Sequence, residues 1–539
     1  MLLDASEQKL QNEFKVGGRY AKYVLVVLVI VYIFNFIDRQ ILSILAEDIK
    51  ADLGISDAEI GFLYGTAFAV FYAVFGLPLG RLADTWVRKS LISIGLLFWS
   101  AMTALSGTAR SFQTLAIYRI GVGIGESSAT PAAFSMLADY FPPQLRTTAL
   151  SIYSSGVYIG SGIGIFLGGI ILDSWHSAYP DALTAPLGLK GWHVAFFAVG
   201  LPGILMAIWV WTLREPIRGL SDGLITPAHP NPFAAAGTEL TAMLPGPHFY
   251  RLWLLGGGLR ALVINLIALT LISSLAIFLY QITGNPIQWT ALGIGVFAAF
   301  SWAQSLRLRD PPTFHLLFNT FTLRCAVIGF PSMAFITYGI GFWSPPFFQR
   351  VHEVSASETG TILGLTAAIG GWSGVTLGGV LADKLRGWSP RAKLYVSLAS
   401  VVLSAPTALA LLTTDDLTTA YWLNAVFAVT SPMWVGPAAA TVNELVLPRM
   451  RAIASAFYLM MVTFIGLALG PFTMGKISDF LYAGGLSTDK ALTQGMTWGL
   501  SMYGLAAGCM LLAMLRVSED QKTVASRAEQ YGEPVGINT

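Results

Sequence analysis

The 539-residue chain is 54% hydrophobic and 12% charged, with a mean hydropathy of +0.63, too apolar for a soluble domain of ordinary composition. Its net charge of +2 comes from 32 Lys and Arg against 30 Asp and Glu, scattered among loops, so nothing points to a nucleic-acid partner. Cys325, Cys509 and six histidines without H-x-x-x-H or H-E-x-x-H spacing give neither a disulfide framework nor the ligands of a metal site.

Taken in order, residues 1–20 are a polar tail containing Lys9, Lys15 and Arg19. Six apolar stretches follow, at about 21–45, 57–82, 89–108, 112–140, 147–172 and 192–213. Each is long enough to cross a hydrocarbon core of roughly 30 Å, and together they make a first six-helix bundle, 21–213. The first stretch lacks a small-residue cleavage site and exceeds a signal-peptide core, so it is expected to be a retained helix. Residues 214–251 turn polar and carry Pro216, Pro227, Pro230 and Pro232, the composition of a linker. Two stretches within 252–305, split by a turn-forming Ile-Thr-Gly-Asn-Pro, predict an inserted hairpin. Six more, at about 322–348, 357–382, 391–412, 417–446, 452–481 and 494–515, predict a second bundle within 306–515, and 516–539 reads as a mobile polar tail. The expectation is an all-α polytopic membrane protein of about fourteen transmembrane helices.

The two bundles are nearly equal in length, and their sequences echo each other. GRLADTWVRK at Gly80–Lys89 recurs as GVLADKLRG at Gly379–Gly387, and Asp139 to Arg146 aligns with Glu444 to Arg451. Parallel six-helix repeats are a transporter architecture with a substrate site between the repeats near the midplane. Of the 32 basic residues, 23 fall on the side of the amino terminus and five (Lys50, Arg110, Lys190, Arg350, Lys490) on the other. This asymmetry predicts that both termini are cytoplasmic in a cell membrane.

The remaining four are Arg39, Arg119, Arg260 and Lys476. Arg119 and Glu126 lie seven residues apart in one apolar helix, which stacks them on one face about 10 Å apart. Asp38 and Arg39 sit in the first helix. Ionisable groups at that depth cost roughly 2.5–3.5 kcal/mol, so they are expected to face a cavity or a partner. The four charges read as a buried polar site, or as a static ion pair that locks two helices together.

The Gly-x-Leu-Ala-Asp-x-x-x-Arg-Lys pattern at Gly80–Lys89 resembles the signature loop of the major facilitator superfamily, with Thr85 and Val87 departing from the usual form. Within it, three stretches resemble the spinster family of lysolipid and sphingolipid transporters: Asp38-Arg39, Gly123–Gly156 and FWSPPFFQR at Phe342–Arg350. The resemblance implies a major facilitator fold, here two six-helix repeats plus the inserted hairpin, that moves an amphiphilic substrate across the membrane. Organic-anion symporters share the Asn35 to Arg39 pattern, which keeps a sugar acid open as the substrate.

Glu126 is the first expected proton-coupling residue and Asp38 the second, with Arg119 competing for Glu126. Arg39, whose guanidinium fork matches phosphate or carboxylate, is the expected head-group ligand together with Asn35. Tyr153, Tyr158, Phe335, Tyr338, Met433, Trp434 and Tyr458 are expected to supply an apolar lining; packing or lipid contact is the other reading of such residues. Asp84, Arg88, Lys89, Arg146, Asp383 and Arg451 are expected to form a cytoplasmic gate between the bundles, or else only to fix topology. The expected partners are the substrate, protons and membrane lipids, for a monomer without cofactor or metal. No nucleophile elbow or phosphate loop is present, so an enzyme is not expected, and energy must come from a gradient. A sensor that keeps the fold without moving substrate is the remaining alternative.

Overall fold

The computed structural model describes residues 16–181, 184–219, 221 and 229–533, and its described residues are helical with no strand. Thirteen helices are long and apolar enough to cross a membrane. In chain order we label the spans α1 (Arg19–Ile44), α2 (Asp57–Thr85), α3 (Arg88–Ser106), α4, α5 (Pro143–Ala178), α6 (Gly191–Trp211), α7 (Gly258–Thr283), α8 (Pro286–Arg309), α9 (Phe321–Val351), α10 (Ala356–Arg386), α11 (Ala392–Thr413), α12 (Leu417–Glu444), α13 (Pro448–Ala483) and α14 (Thr488–Lys522). The fourth, α4, runs in two pieces, Phe112–Glu126 and Ala129–Tyr140, each too short to span alone. Ser127 and Ser128 return their hydroxyls to the carbonyls of Ile124 and Gly125, and Pro131 can donate no backbone bond to the turn before it. The break follows Glu126 directly.

Fourteen crossings put both described ends of the chain on one face. On the other face a capping box starts α2: the Ser56 hydroxyl accepts from the Glu59 amide while the Glu59 carboxylate accepts from the Ser56 amide. Spans α1–α6 and α9–α14 form the two bundles, with α7 and α8 as a hairpin between them in sequence. The linker before the hairpin contains two short helices, Pro232–Thr241 and Pro247–Leu254.

The carboxy-terminal segment departs from the mobile tail that its polarity predicts. Helix α14 runs on to Lys522, and a further helix, Val524–Glu529, follows. Polar residues anchor it: Asp520 accepts from the Thr322 amide at 2.9 Å, Arg527 reaches the Thr320 hydroxyl at 2.8 Å, and Arg449 bridges Asp310 (2.7 Å) and Glu533. The hydrogen bond from Arg449 holds the Glu533 carboxyl below its ordinary range, so this contribution is present above the unfolded value of about 4.3 and fades as pH falls through the lower folded one. Exposed ion pairs are worth about 0–1 kcal/mol. Arg449→Ala is therefore expected to speed tryptic cleavage at Arg527 by roughly two- to fivefold at neutral pH, and much less at acid pH with an acid-active protease.

Candidate functional site

A cavity of about 470 Å³ lies between the bundles, walled by α1, α2 and α5 on one side and by α9, α10, α12 and α13 on the other. Arg39 is the one charged residue among those that line it. Aromatic rings frame the space: Tyr32, Phe36, Tyr64 and Tyr158 from the first bundle, and Tyr338, Phe427, Trp434 and Tyr458 from the second. Polar groups interrupt the second bundle's wall, where Thr337 and Ser431 share a hydrogen bond of 2.9 Å and Asn424 donates to Thr366 at 3.0 Å. Arg39 was legible from its charge in an apolar helix; this belt of hydroxyls and amides opposite it was not.

Arg39 sits at the cavity wall with its guanidinium over the rings of Phe36 (4.7 Å), Phe68 (4.2 Å) and Tyr72 (5.3 Å). Behind it, Nη2 donates to Glu126 at 2.7 Å, and Glu126 is fully buried. Asn35, one turn earlier in α1, is buried beside Glu126. Of the two arginines expected to compete for Glu126, Arg39 makes the hydrogen bond, while Arg119 acts on it through its charge. Arg119 donates instead to the main-chain carbonyl of Asp38 at 3.2 Å. Both guanidinium charges act on Glu126, and α1 presents Arg39 for the direct bond. Asp38 points away from the cavity, against Trp99 and Thr103 of α3, as adjacency to Arg39 requires on a helix. Asp38 thus has the Trp99 indole and the Thr103 hydroxyl beside it and Glu126 has Asn35, while Arg119 Nε and Nη2 and Ser100 Oγ are buried without a hydrogen-bond partner among the described residues. Four ionisable side chains buried together at membrane depth are the feature on which a functional reading rests.

Tyr158, Tyr338, Trp434 and Tyr458 reach the cavity. Tyr153, Phe335 and Met433 do not line it. Tyr153 stacks on the back of Tyr32 at 4.3 Å, Phe335 is core, and Met433 packs with Ala382 and Val396. Each lies on a neighbouring helix face that sequence alone could not separate from the lining face.

On the face of the termini the expected gate residues bond within their own bundle and the linker, the arrangement expected of a gate that is open on that side. Arg88 is wholly buried within the first bundle, where it pairs with Asp139 and with Glu215 (2.7 Å) and donates to the Pro216 carbonyl. The Lys89 amide and ammonium bond to Glu215 and Trp211, and Arg146 donates to Ser221. Arg451 donates to Asn443 in its own bundle, while Asp84 and Asp383 are exposed. The basic loop thus clamps the linker onto α3 and α4.

A polar lock does join the bundles, on the opposite face. Arg350, at the end of α9, grips Asp57 with both terminal nitrogens, at 2.9 and 2.7 Å, and reaches Glu47 at 2.6 Å. Lys50 also pairs with Asp57, and Ser478 donates to it at 2.7 Å. Asp479 accepts from the amides of Asp57 and Ala58 at 2.9 and 2.8 Å, capping the first turn of α2 from the other bundle. Further in, Ser43 bonds to the Phe342 carbonyl and Thr66 to that of Ala468. Helices α5 and α10 close the same half by backbone contact: a Cβ on Gly162 would stand 2.3 Å from the Gly364 carbonyl oxygen. Among the described residues, every hydrogen bond and ion pair between the two bundles lies in this half.

The family model described as Major Facilitator Superfamily matches residues 28–471. An MFS-type efflux pump of Mycolicibacterium smegmatis is 28% identical over 510 residues, 94% of this chain and 95% of that one. Protein spinster homolog 1 of Mus musculus is 25% identical over 492 residues, 88% of this chain and 76% of the relative. A bacterial homologue of the human lysosomal transporter spinster, solved in an inward-facing and unoccupied conformation, superposes with a TM-score of 0.66 at 25% identity, over 96% of this chain and 99% of that one. With the fold, a cavity between two six-helix bundles and these matches in agreement, the chain belongs to the Major Facilitator Superfamily and is a spinster-like transporter.

Proposed function

We propose that this transporter moves lysolipid- or sphingoid-type amphiphiles with an anionic head group, and that protons drive it. The observation that carries the reading is Arg39: a lone cation on an aromatic-rich wall, hydrogen-bonded from behind to a fully buried Glu126. A guanidinium fork suits phosphate, and the rings around it suit an alkyl chain. Glu126 and the head group use the same cation. A proton on Glu126 removes its charge and frees Arg39 for the anion; loss of the proton returns Arg39 to the carboxylate and expels the head group. Asp38, buried beside Trp99 and Thr103 and with its carbonyl on Arg119, is the second proton site.

With the termini cytoplasmic, as the basic residues indicate, the Arg350 lock shuts the external side and the cavity faces inward. One chain encloses a whole cavity, which supports a monomer as the working unit, surrounded by membrane lipid. The test is uptake of labelled lysophosphatidic acid into proteoliposomes with and without an imposed pH gradient. Gradient-dependent uptake that a sphingoid phosphate competes away is expected. Gradient-driven uptake of a sugar acid that lysophosphatidic acid does not compete would move the substrate to small organic anions. Failure of both, with folded protein, would leave a sensor.

A further inference from the structure

The inserted hairpin lies across the seam between α2 of the first bundle and α13 of the second. Its helix α8 touches both at once, since a Cβ on Gly295 would stand 3.0 Å from Val70 of α2 and 3.0 Å from Phe464 of α13. Trp302 stacks on Phe457 at 6.1 Å and Trp289 meets Phe472 edge-on at 5.8 Å, so one helix face seals the seam along three turns or more. Its partner α7 carries the exposed apolar face, with Leu271, Leu275 and Phe278 open to lipid. The two are tied by Asn265, which donates to Gln304 at 2.8 Å, and by Gln304, which donates to the Ala261 carbonyl at 2.7 Å. The hairpin is thus a rigid unit with a lipid side and a seam side.

Beneath it is a narrow apolar crevice of about 140 Å³, lined by Tyr72 and Gly76 of α2, Phe457, Leu459 and Met460 of α13, and Trp302 of α8. Two residues stand between it and the central cavity. Leu459 lines both spaces, and the Tyr72 ring stands 5.3 Å from the Arg39 guanidinium.

We propose that this crevice is the alkyl-chain subsite of the transported amphiphile: the head group rests on Arg39, and the chain passes Tyr72 and Leu459 to lie under Trp302, with the hairpin walling it off from the bilayer. The inference rests on the amphiphile reading above. In that arrangement the hairpin would screen the α2–α13 seam from membrane lipid, and chain length would be read against Trp302.

The experiment uses the full chain in proteoliposomes and lysophosphatidic acid bearing a diazirine at the chain end, with and without excess unlabelled ligand. Competed crosslinks on Trp302 or its neighbours in α8 and on α2 and α13 are expected. Competed crosslinks confined to α5 and α10 would overturn the subsite and leave the amphiphile reading intact, whereas the absence of any competed crosslink would remove both. Chain-length competition supplies a second readout. Each methylene withdrawn from apolar burial costs roughly fourfold in affinity, so Leu459→Trp, which fills the mouth of the crevice, is expected to cost a long-chain competitor about tenfold or more relative to a short-chain one. An equal loss for both chain lengths would overturn the assignment.

Discussion

Replacing Arg350 by Ala is expected to open the face away from the termini. Asp57 and Arg350 are mostly buried, and the pair is bidentate, with Glu47 on the same guanidinium. Without the cation, two carboxylates stay close together in a half-dry setting with Lys50 as the remaining cation and the Ser478 hydroxyl on Asp57. Removing one member of a buried pair typically costs about 3–5 kcal/mol, and the cost falls only on the state in which the lock is formed. A shift of 3 kcal/mol is roughly 150-fold in the equilibrium between closed and open forms. Spin labels at Ala51 and Ala483, both exposed on that face, will report the change as a new, longer distance population in pulsed electron resonance. Arg350→Lys keeps the charge but loses the fork, and should lie between the two. An unchanged distance distribution for Arg350→Ala would mean that the backbone contacts of α5 with α10 hold this face alone, and that the ion pairs contribute nothing to the conformational balance.

Hydropathy made the architecture legible because a membrane span is a local property of about twenty residues. The spans, the repeat and the hairpin all follow from local runs, and even the break in α4 hid nothing, since its two pieces read as one apolar stretch. The site was less legible because its partners are distant in sequence. Arg39 and Glu126 are 87 residues apart, and Arg350 and Asp57 are 293 apart. Arg350 looked like one of five basic residues in external loops, and nothing local said that it would turn inward onto α2. Arg88 carries the family loop pattern, and nothing local said that in this form it would be buried in its own bundle against Glu215. The aromatic residues divided by helix face. Tyr158 reaches the cavity and Tyr153, five residues earlier, is behind Tyr32, a difference of rotation that a sequence apolar on every side does not record.

Glu126→Gln is expected to separate binding from coupling, and Arg39→Ala to abolish both. On the proposed mechanism the head group displaces a buried carboxylate from Arg39 in the wild type. Glutamine can still accept the hydrogen bond that Arg39 Nη2 now gives to Glu126 at 2.7 Å, but it carries no charge, so the guanidinium keeps a full positive charge for an incoming anion. Affinity for lysophosphatidic acid should therefore rise by roughly five- to thirtyfold, the scale of about 1–2 kcal/mol for one charge-assisted contact no longer contested. It should also become insensitive to pH over the range in which the wild type binds better as the medium is acidified, the sign required when a proton on Glu126 releases Arg39. Uptake driven by a pH gradient should fall to the rate seen without one, since the group that links the proton to the anion is gone. Arg39→Ala leaves Glu126 buried beside three rings with no cation at 2.7 Å, and both binding and uptake should drop by a hundredfold or more, in keeping with about 3–5 kcal/mol for a broken buried pair. Equilibrium binding at two pH values, together with flux at two gradients, separates the alternatives. If Glu126→Gln weakens binding and retains gradient-driven flux, Glu126 is a structural partner of Arg39, and the proton must be carried by Asp38.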